Sequence, residues 1–251
     1  MGISVKNLDF SYGNRMILHN ITLHMAEGRF TVLLGKNGSG KSTLIKLMAG
    51  LLSYKTGHVE VLGEDLGKLK SAEKAMLIGY LPQFHTPVFP FSVEEVVLTG
   101  RAAYVFTVPS RKDLEKADEA IDKVGINHLR KRPYNELSGG ERQLVMIARV
   151  LAQEPEVILL DEPLSHLDLS NQARLLMLIK DLVVKGLTVV AVLHDPNTAF
   201  FYGDDFLFLK DGLIKVVEKN NNPWDASTLT DVYDTKIEAV PFRGRSLVIP
   251  I

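Results

Sequence analysis

Apolar and polar positions along the chain change period several times, and each change marks an element. Residues 3–34 alternate apolar and polar, broken by turn signals at Tyr12-Gly13-Asn14 and Glu27-Gly28, which predicts antiparallel strands. The last stretch, Phe30-Thr-Val-Leu-Leu34, is apolar and rich in β-branched residues, as a buried strand requires. Thr43-Leu-Ile-Lys-Leu-Met-Ala-Gly50 then takes up helical spacing and stops at a glycine. Residues 57–63 predict a further short strand, and Ile78-Gly-Tyr-Leu-Pro82 one that proline halts. Ser92 before Glu94-Glu95 reads as an N-cap with an acidic first turn, opening a helix that runs to Gly100. Residues 111–124 predict an amphipathic helix with Leu114, Ala117, Ala120, Ile121 and Val124 on one face. Beyond it, residues 141–152 and 172–185 predict helices, and 157–160 and 187–193 strands. Lys210-Asp211-Gly212 marks a tight turn between the apolar runs of 206–217, and Asn220-Asn-Asn-Pro223 a loop. The alternation argues for a parallel sheet covered by helices, with residues 83–136 standing out as a helical insertion.

Composition narrows the function classes. A chain of 251 residues can be one large α/β domain or one domain with a subdomain. A formal net charge of −1 gives no ground for a nucleic-acid partner held by bulk charge. Without cysteine there is no disulfide, thiolate metal site or cysteine nucleophile. Thr188-Val-Val-Ala-Val-Leu193 is strand-sized rather than membrane-spanning, and the first residues lack the apolar core of a signal peptide. Any membrane role is expected to run through a partner.

Three stretches carry chemistry. Gly35-Lys-Asn-Gly-Ser-Gly-Lys-Ser42 fits the pattern Gly-x-x-x-x-Gly-Lys-[Ser/Thr] and lies between a predicted strand and a predicted helix. Its glycines let N–H groups converge on anionic oxygens at a positive helix end. Lys41 can reach β- and γ-phosphates, and the Ser42 hydroxyl can hold Mg²⁺. Val157-Ile-Leu-Leu-Asp161-Glu162 ends a buried strand in two carboxylates, at the strand end where parallel sheets bind ligands. Asp161 can orient Mg²⁺. Glu162, on the other face, can take a proton from water or align it. Leu137-Ser-Gly-Gly-Glu141 opens a helix with exposed N–H groups at Ser138, Gly139 and Gly140 but no lysine. Two phosphate-type helix ends in one small chain suggest a nucleotide gripped from two sides, one supplied by a second subunit.

The ordered set resembles the ATP-binding subunit of an ABC (ATP-binding cassette) transporter. It comprises the phosphate loop at 35–42, Gln83, Leu137-Ser-Gly-Gly-Glu141, the strand ending at Glu162, Ser165-His-Leu-Asp168 and His194. The resemblance spans nearly the whole chain. It implies an α/β P-loop NTPase fold with a mixed, mainly parallel sheet core, an N-terminal antiparallel β-subdomain and a helical insertion. The division it implies is a core of 1–82 and 156–220, a helical subdomain of 83–155 and a short extension of 221–251. Tyr12, in Phe10-Ser-Tyr-Gly13, resembles the aromatic that stacks on adenine. Asn37, Gly38, Ser39, Gly40, Lys41, Ser42 and Thr43 would wrap the phosphates of ATP, opposite Ser138, Gly139, Gly140 and Glu141 of a second copy. Gln83 would sense Mg²⁺ and the attacking water, Glu162 resembles the catalytic base, and His194 would bond the γ-phosphate. Asp168 resembles the residue that couples the two sites. His19, His24, His58, His85 and His128 have no metal-ligand spacing and read as surface or local structure. Trp224 reads as a packing residue, and the basic stretch 101–112 as a solvated loop.

Pro163-Leu-Ser-His-Leu-Asp168 with Asn171-Gln172, and Val97-Leu-Thr-Gly-Arg101, are similar to importers of iron-siderophores, haem, cobalamin and molybdate. Leu164 departs from that group, which usually has threonine there. The resemblance implies an ATP-sandwich homodimer at the cytoplasmic face of the cell membrane that powers import of a metal chelate. A membrane permease would contact residues 83–110, and a substrate-binding protein would act indirectly. The alternatives are a cassette of another importer or exporter, and a soluble ABC ATPase not linked to transport.

Overall fold

The computed structural model of the chain describes residues 2–83, 90–216, 225–242 and 245–251. The expectations for His85, the 220–223 loop and Trp224 lie outside the described residues. The chain begins with β1 (Gly2–Tyr12), β2 (Arg15–Ala26), β3 (Phe30–Leu34), α1 (Lys41–Met48), β4 (Thr56–Val61) and β5 (Glu64–Asp65). Next come α2 (Ser71–Leu77), β6 (Ile78–Leu81), α3 (Val93–Leu98), α4 (Arg111–Val124), α5 (Gly139–Ala152), β7 (Val157–Asp161) and α6 (Leu169–Val184). The last part holds β8 (Thr188–Val192), α7 (Pro196–Tyr202), β9 (Asp205–Lys210), β10 (Leu213–Val216), α8 (Ala226–Tyr233), β11 (Ile237–Phe242) and β12 (Arg245–Pro250). Two compact units result, Met1–Lys68 with Thr188–Ile251, and Leu69–Leu187.

In the first unit, β1 pairs antiparallel with β2 and β4, in the order β2-β1-β4-β5. Ile3, Val5, Leu8 and Phe10 of β1 are buried, as the alternating pattern requires. The register shifts around Asn7, which has a φ of 48°. β3 runs parallel to both β8 and β9, with Phe30 beside Val189 and Thr31 beside Asp205, and all five of its residues are buried. β10 returns antiparallel to β9, and β11 and β12 form a separate antiparallel hairpin. The mixed, mainly parallel core and the antiparallel N-terminal part therefore match expectation.

In the second unit, β6 and β7 pair in parallel, and α3, α4 and α5 pack on one another. The helix over 111–124 forms as expected and buries Ala117, Ala120, Ile121 and Val124, but Leu114 is half exposed. Asp113 lies inside instead. It closes the capping box with Ser110, whose N–H and hydroxyl reach it at 2.9 and 2.6 Å. Arg101, expected in a solvated loop, is 2% exposed. Its Nε lies 3.1 Å from Asp113 Oδ1, its Nη1 lies 2.9 Å from Ala152 O and 3.0 Å from Glu154 Oε2, and it stacks on Tyr104. A buried guanidinium needs such partners for its donors. Helices α5 and α6 start earlier than expected because Ser138 and Asp168 are their N-caps. Helix α2, helix α8 and the β11–β12 hairpin have no counterpart in the sequence reading.

Candidate functional site

The site residues fall into two groups, one in each unit. In the first unit, β3 delivers the chain into the loop 35–40, and α1 begins at Lys41. Gly35, Gly38 and Gly40 have φ of 146°, 78° and 107°. At Gly35 a Cβ would stand 2.1 Å from Leu209 O, so a neighbouring strand's backbone fills the space a side chain needs. No acidic residue occupies the first turn of α1, and Gly40 offers no side-chain cap, so the helix start keeps its positive character. Lys41 is 5% exposed, and its Nζ donates to Gly35 O at 2.7 Å and Lys36 O at 2.8 Å. The Ser39 hydroxyl is buried with no hydrogen-bond partner among the described residues. A loop that folds a cation back on its own carbonyls and leaves a buried hydroxyl unpaired suits a polyphosphate.

Tyr12 ends β1 at 48% exposure and meets Phe10 edge-on at 4.9 Å between centroids, leaving ring surface open to a flat ligand. His194 follows β8 and precedes Asp195, the N-cap of α7. It shares with Gly35, Lys36 and Asn37 a cavity of about 640 Å³, which Tyr233, Val248 and Pro250 also line. A second cavity of about 350 Å³ adjoins Lys36, Asn37, Gly38 and Ser39 from the side of Arg15 and Met16. The structure thus places the phosphate loop and His194 on one cavity wall.

The second unit carries the carboxylates. All of β7 is buried, and Asp161 is 1% exposed at its end. The parallel register sets Leu81 beside Leu160, which brings Gln83 and Glu162, each two residues further on, side by side. Gln83 Nε2 donates to Glu162 Oε2 at 2.5 Å, and Ser165 Oγ lies 3.4 Å from the same oxygen. Glu162 adopts a φ of 55°, an uncommon conformation for a residue with a side chain.

Ser138 caps α5. Its N–H and hydroxyl lie 2.8 Å from Glu141 Oε2, and Glu141 N returns a bond to its Oγ at 3.3 Å. These bonds hold the Glu141 carboxyl below its ordinary pKa, so Glu141 is engaged in ordering the helix start. Gly139 and Gly140 lie against the turn that follows Glu162, where added Cβ atoms would meet His166 Cβ at 3.3 Å and His166 O at 3.1 Å. Gln143 Nε2 donates to Pro163 O at 3.1 Å, joining helix and turn. Asp168 Oδ1 accepts from Asn171 N and Ser170 Oγ, both at 2.8 Å, which keeps its carboxyl below the usual range.

Among the described residues, no cluster of three or more His, Asp and Glu side chains is arranged to hold a metal. Ser42 of the first unit offers a hydroxyl oxygen, and Gln83 and Asp161 of the second an amide and a carboxylate oxygen, each a hard donor of the kind Mg²⁺ takes. Sequence reading gave no role to Lys36 within the phosphate loop and missed Asn197, Tyr233 and Asp234 beside it. The chain's own pattern gives no signal for the last three, because their placement depends on how the C-terminal elements pack.

The family model described as ABC transporter matches residues 18–165. A Helicobacter pylori protein described as an iron chelatin transport ATP-binding protein is 36% identical over 244 residues, covering 96% of each chain. The Escherichia coli ferric enterobactin transport ATP-binding protein FepC is 36% identical over 251 residues, 98% of this chain and 93% of that one. An uncharacterized ABC transporter ATP-binding protein of Bacillus subtilis is 38% identical, and the chain spans 55% of its greater length. Among solved structures, an inward-facing transporter described as of the metal-chelate type aligns at TM-score 0.85 and 33% identity, covering 100% of this chain and 97% of that one. A dimeric post-hydrolysis ATP-binding cassette with ADP and Pi bound aligns at TM-score 0.74 and 30% identity, over 85% of this chain and 96% of that one.

Proposed function

This chain belongs to the ABC transporter family, with the cassette fold of its ATPases, and from that premise we propose that it powers import of a metal chelate through a membrane permease. Two copies would bind two ATP molecules, each between the phosphate loop of one copy and residues 138–141 of the other. Tyr12 would stack on adenine, and Asn37, Gly38, Ser39, Gly40, Lys41, Ser42 and Thr43 would surround the phosphates. Lys41 would exchange its bonds to Gly35 O and Lys36 O for bonds to phosphate oxygens. Ser42, Gln83 and Asp161 would hold Mg²⁺, whose charge offsets that of the β- and γ-phosphate oxygens. Glu162 would accept a proton from the attacking water, aimed by Gln83, while His194 donates to the γ-phosphate. Asp168, already capping α6, would couple the two sites across the dimer.

The observation that carries this reading is the presence of two unlike helix starts in one chain. One follows a glycine loop with a buried lysine, and the other a capped Ser-Gly-Gly turn without one. A triphosphate's charge needs both, so ATP joins two copies and phosphate release parts them. Among the described residues no helix is long and apolar enough to cross a membrane. Phe91, Phe106 and Val108 are exposed apolar side chains in the 83–110 region, a surface suited to a short helix of a permease at the cytoplasmic face. The two curated relatives named for iron-chelate transport support the cargo class, with a substrate-binding protein acting upstream.

The clamp is tested by sedimentation of the Glu162→Gln chain with Mg·ATP. A dimer is expected, and adding Ser138→Arg should return monomers that still bind ATP. A Glu162→Gln chain that binds ATP and stays monomeric overturns the clamp. The cargo is tested in vesicles holding the chain with its permease, where ATP should drive uptake of a labelled ferric chelate. ATP-driven uptake of another solute without it overturns that assignment.

A further inference from the structure

Residues 225–242 and 245–251 have no part in the roles above, yet they hold both nucleotide-facing loops of their own unit. Lys36, inside the phosphate loop, has its Nζ 2.9 Å from Asp234 Oδ2 at the C-terminal cap of α8. Lys210 joins the same carboxylate at 2.9 Å and Asp231 at 3.0 Å. Tyr233, between them in sequence, lines the cavity together with Gly35, and burial pushes its phenol pKa up.

The second hold is on α7. Asn197 Nδ2 donates to Val248 O at 3.1 Å, and Asn197 Oδ1 accepts from Val248 N at 2.8 Å. In an antiparallel strand the N–H and C=O of one residue face the same side. At Val248 both therefore face away from β11, and the Asn197 amide acts there as one residue of an adjoining strand. The register agrees. Val248 pairs with Ala239, in the same non-bonded class as the pairs containing Pro241 and Pro250, whose rings have no N–H to offer.

Asn197 is the third residue after His194, and the link between them is stiff. Asp195 caps α7 through Asn197 N at 3.0 Å and Thr198 N at 2.9 Å, and Pro196 fixes the first helical φ. We propose that residues 225–242 and 245–251 form a strap that positions His194 against the phosphate loop, with Asn197 and Val248 as the contact that transmits it. The inference rests on His194 acting at the γ-phosphate, as set out above. Asn197 is thus a positioning residue, uncharged and not itself among the proposed metal ligands.

The test measures ATPase turnover, ATP affinity and thermal midpoint for the full chain carrying Asn197→Ala, Asn197→Asp or Val248→Pro, assayed well below every midpoint. Displacing a catalytic group by a fraction of an ångström lowers turnover by roughly tenfold. Asn197→Ala and Val248→Pro should each show that loss in kcat with the ATP Kd unchanged within about twofold. Together they should lose no more than either alone, because both break one contact. Asn197→Asp should also lose turnover, since its second oxygen cannot donate to Val248 O. A contact that only stabilises the fold would lower the midpoints and leave kcat at the parent value. His194→Ala runs beside them. Parent turnover in His194→Ala defeats the role of His194 and the strap with it. Lost turnover there, with parent kcat in Asn197→Ala and Val248→Pro, defeats the strap alone.

Discussion

Replacing Glu162 with glutamine isolates the proton-accepting oxygen from everything else that residue does. Glu162 Oε2 receives Gln83 Nε2 at 2.5 Å, and a carboxamide oxygen in the same place can still accept that bond. The backbone φ of 55° is as accessible to glutamine as to glutamate, so no new strain enters. Stability should therefore change by under about 0.5 kcal/mol, a shift of about 2 °C or less in thermal midpoint. What should disappear is the proposed general base, worth roughly 10²- to 10⁴-fold in rate. At about 1.36 kcal/mol per decade, that is a barrier rise of about 3 to 5 kcal/mol. Phosphate release at saturating Mg·ATP should fall by that factor while equilibrium ATP binding stays within about twofold. Glu162→Ala offers a contrast, because it also deprives Gln83 of its acceptor and so should perturb both stability and turnover. Parent-like hydrolysis by Glu162→Gln would remove Glu162 from the chemistry. Loss of ATP binding with an unchanged midpoint would show that its main work is ligand contact.

Tyr12→Ala should weaken ATP binding by about 1 to 3 kcal/mol, the range for a base on an aromatic ring, while Tyr12→Phe keeps affinity. Isothermal titration decides, and equal affinities in all three chains would exclude stacking. Asp113 gives a pH prediction. Bonds from Ser110, then Arg101, hold its carboxyl at about 2 in the folded chain, against an ordinary value of 3.8. A depressed folded pKa contributes stability that is present above the unfolded value and is lost as pH falls through the folded one. Urea midpoints of the parent and Asp113→Asn should therefore differ above about pH 4, with the gap shrinking as pH falls from there through about 2, and a gap at pH 2 as large as that above pH 4 refutes the assignment.

The phosphate loop, the strand into it and the helix out of it were legible because their residues are contiguous, so the local pattern holds the whole geometry. The strand ending at Asp161 was legible for the same reason. The bond between Gln83 and Glu162 was not, because it follows from the register of β6 and β7. Resemblance supplied both residues, but no spacing along the chain puts them in contact. Arg101 was misread because a basic residue in an expected loop normally faces water. Its partners, Asp113, Ala152 and Glu154, come from distant positions that only folding brings together. Leu114 went wrong with it, since a face drawn from apolar residues alone takes no account of an inward-facing Asp113 at the helix start. Helices α2 and α8 run seven and eight residues, too short for a periodic signal, and the C-terminal hairpin shows no clean alternation of buried and exposed positions.

That hairpin has a consequence for how the chain behaves in company. A two-stranded ribbon ordinarily offers open backbone on both flanks, which invites strands from other molecules and ends in aggregation. Here Pro241 and Pro250 remove outward donors, Thr230 Oγ1 takes the Ile237 N–H at 3.2 Å, and the Asn197 side chain occupies Val248. The ribbon thereby offers foreign strands few outward donors while remaining at the surface, which lowers the tendency of its edges to pair with other molecules.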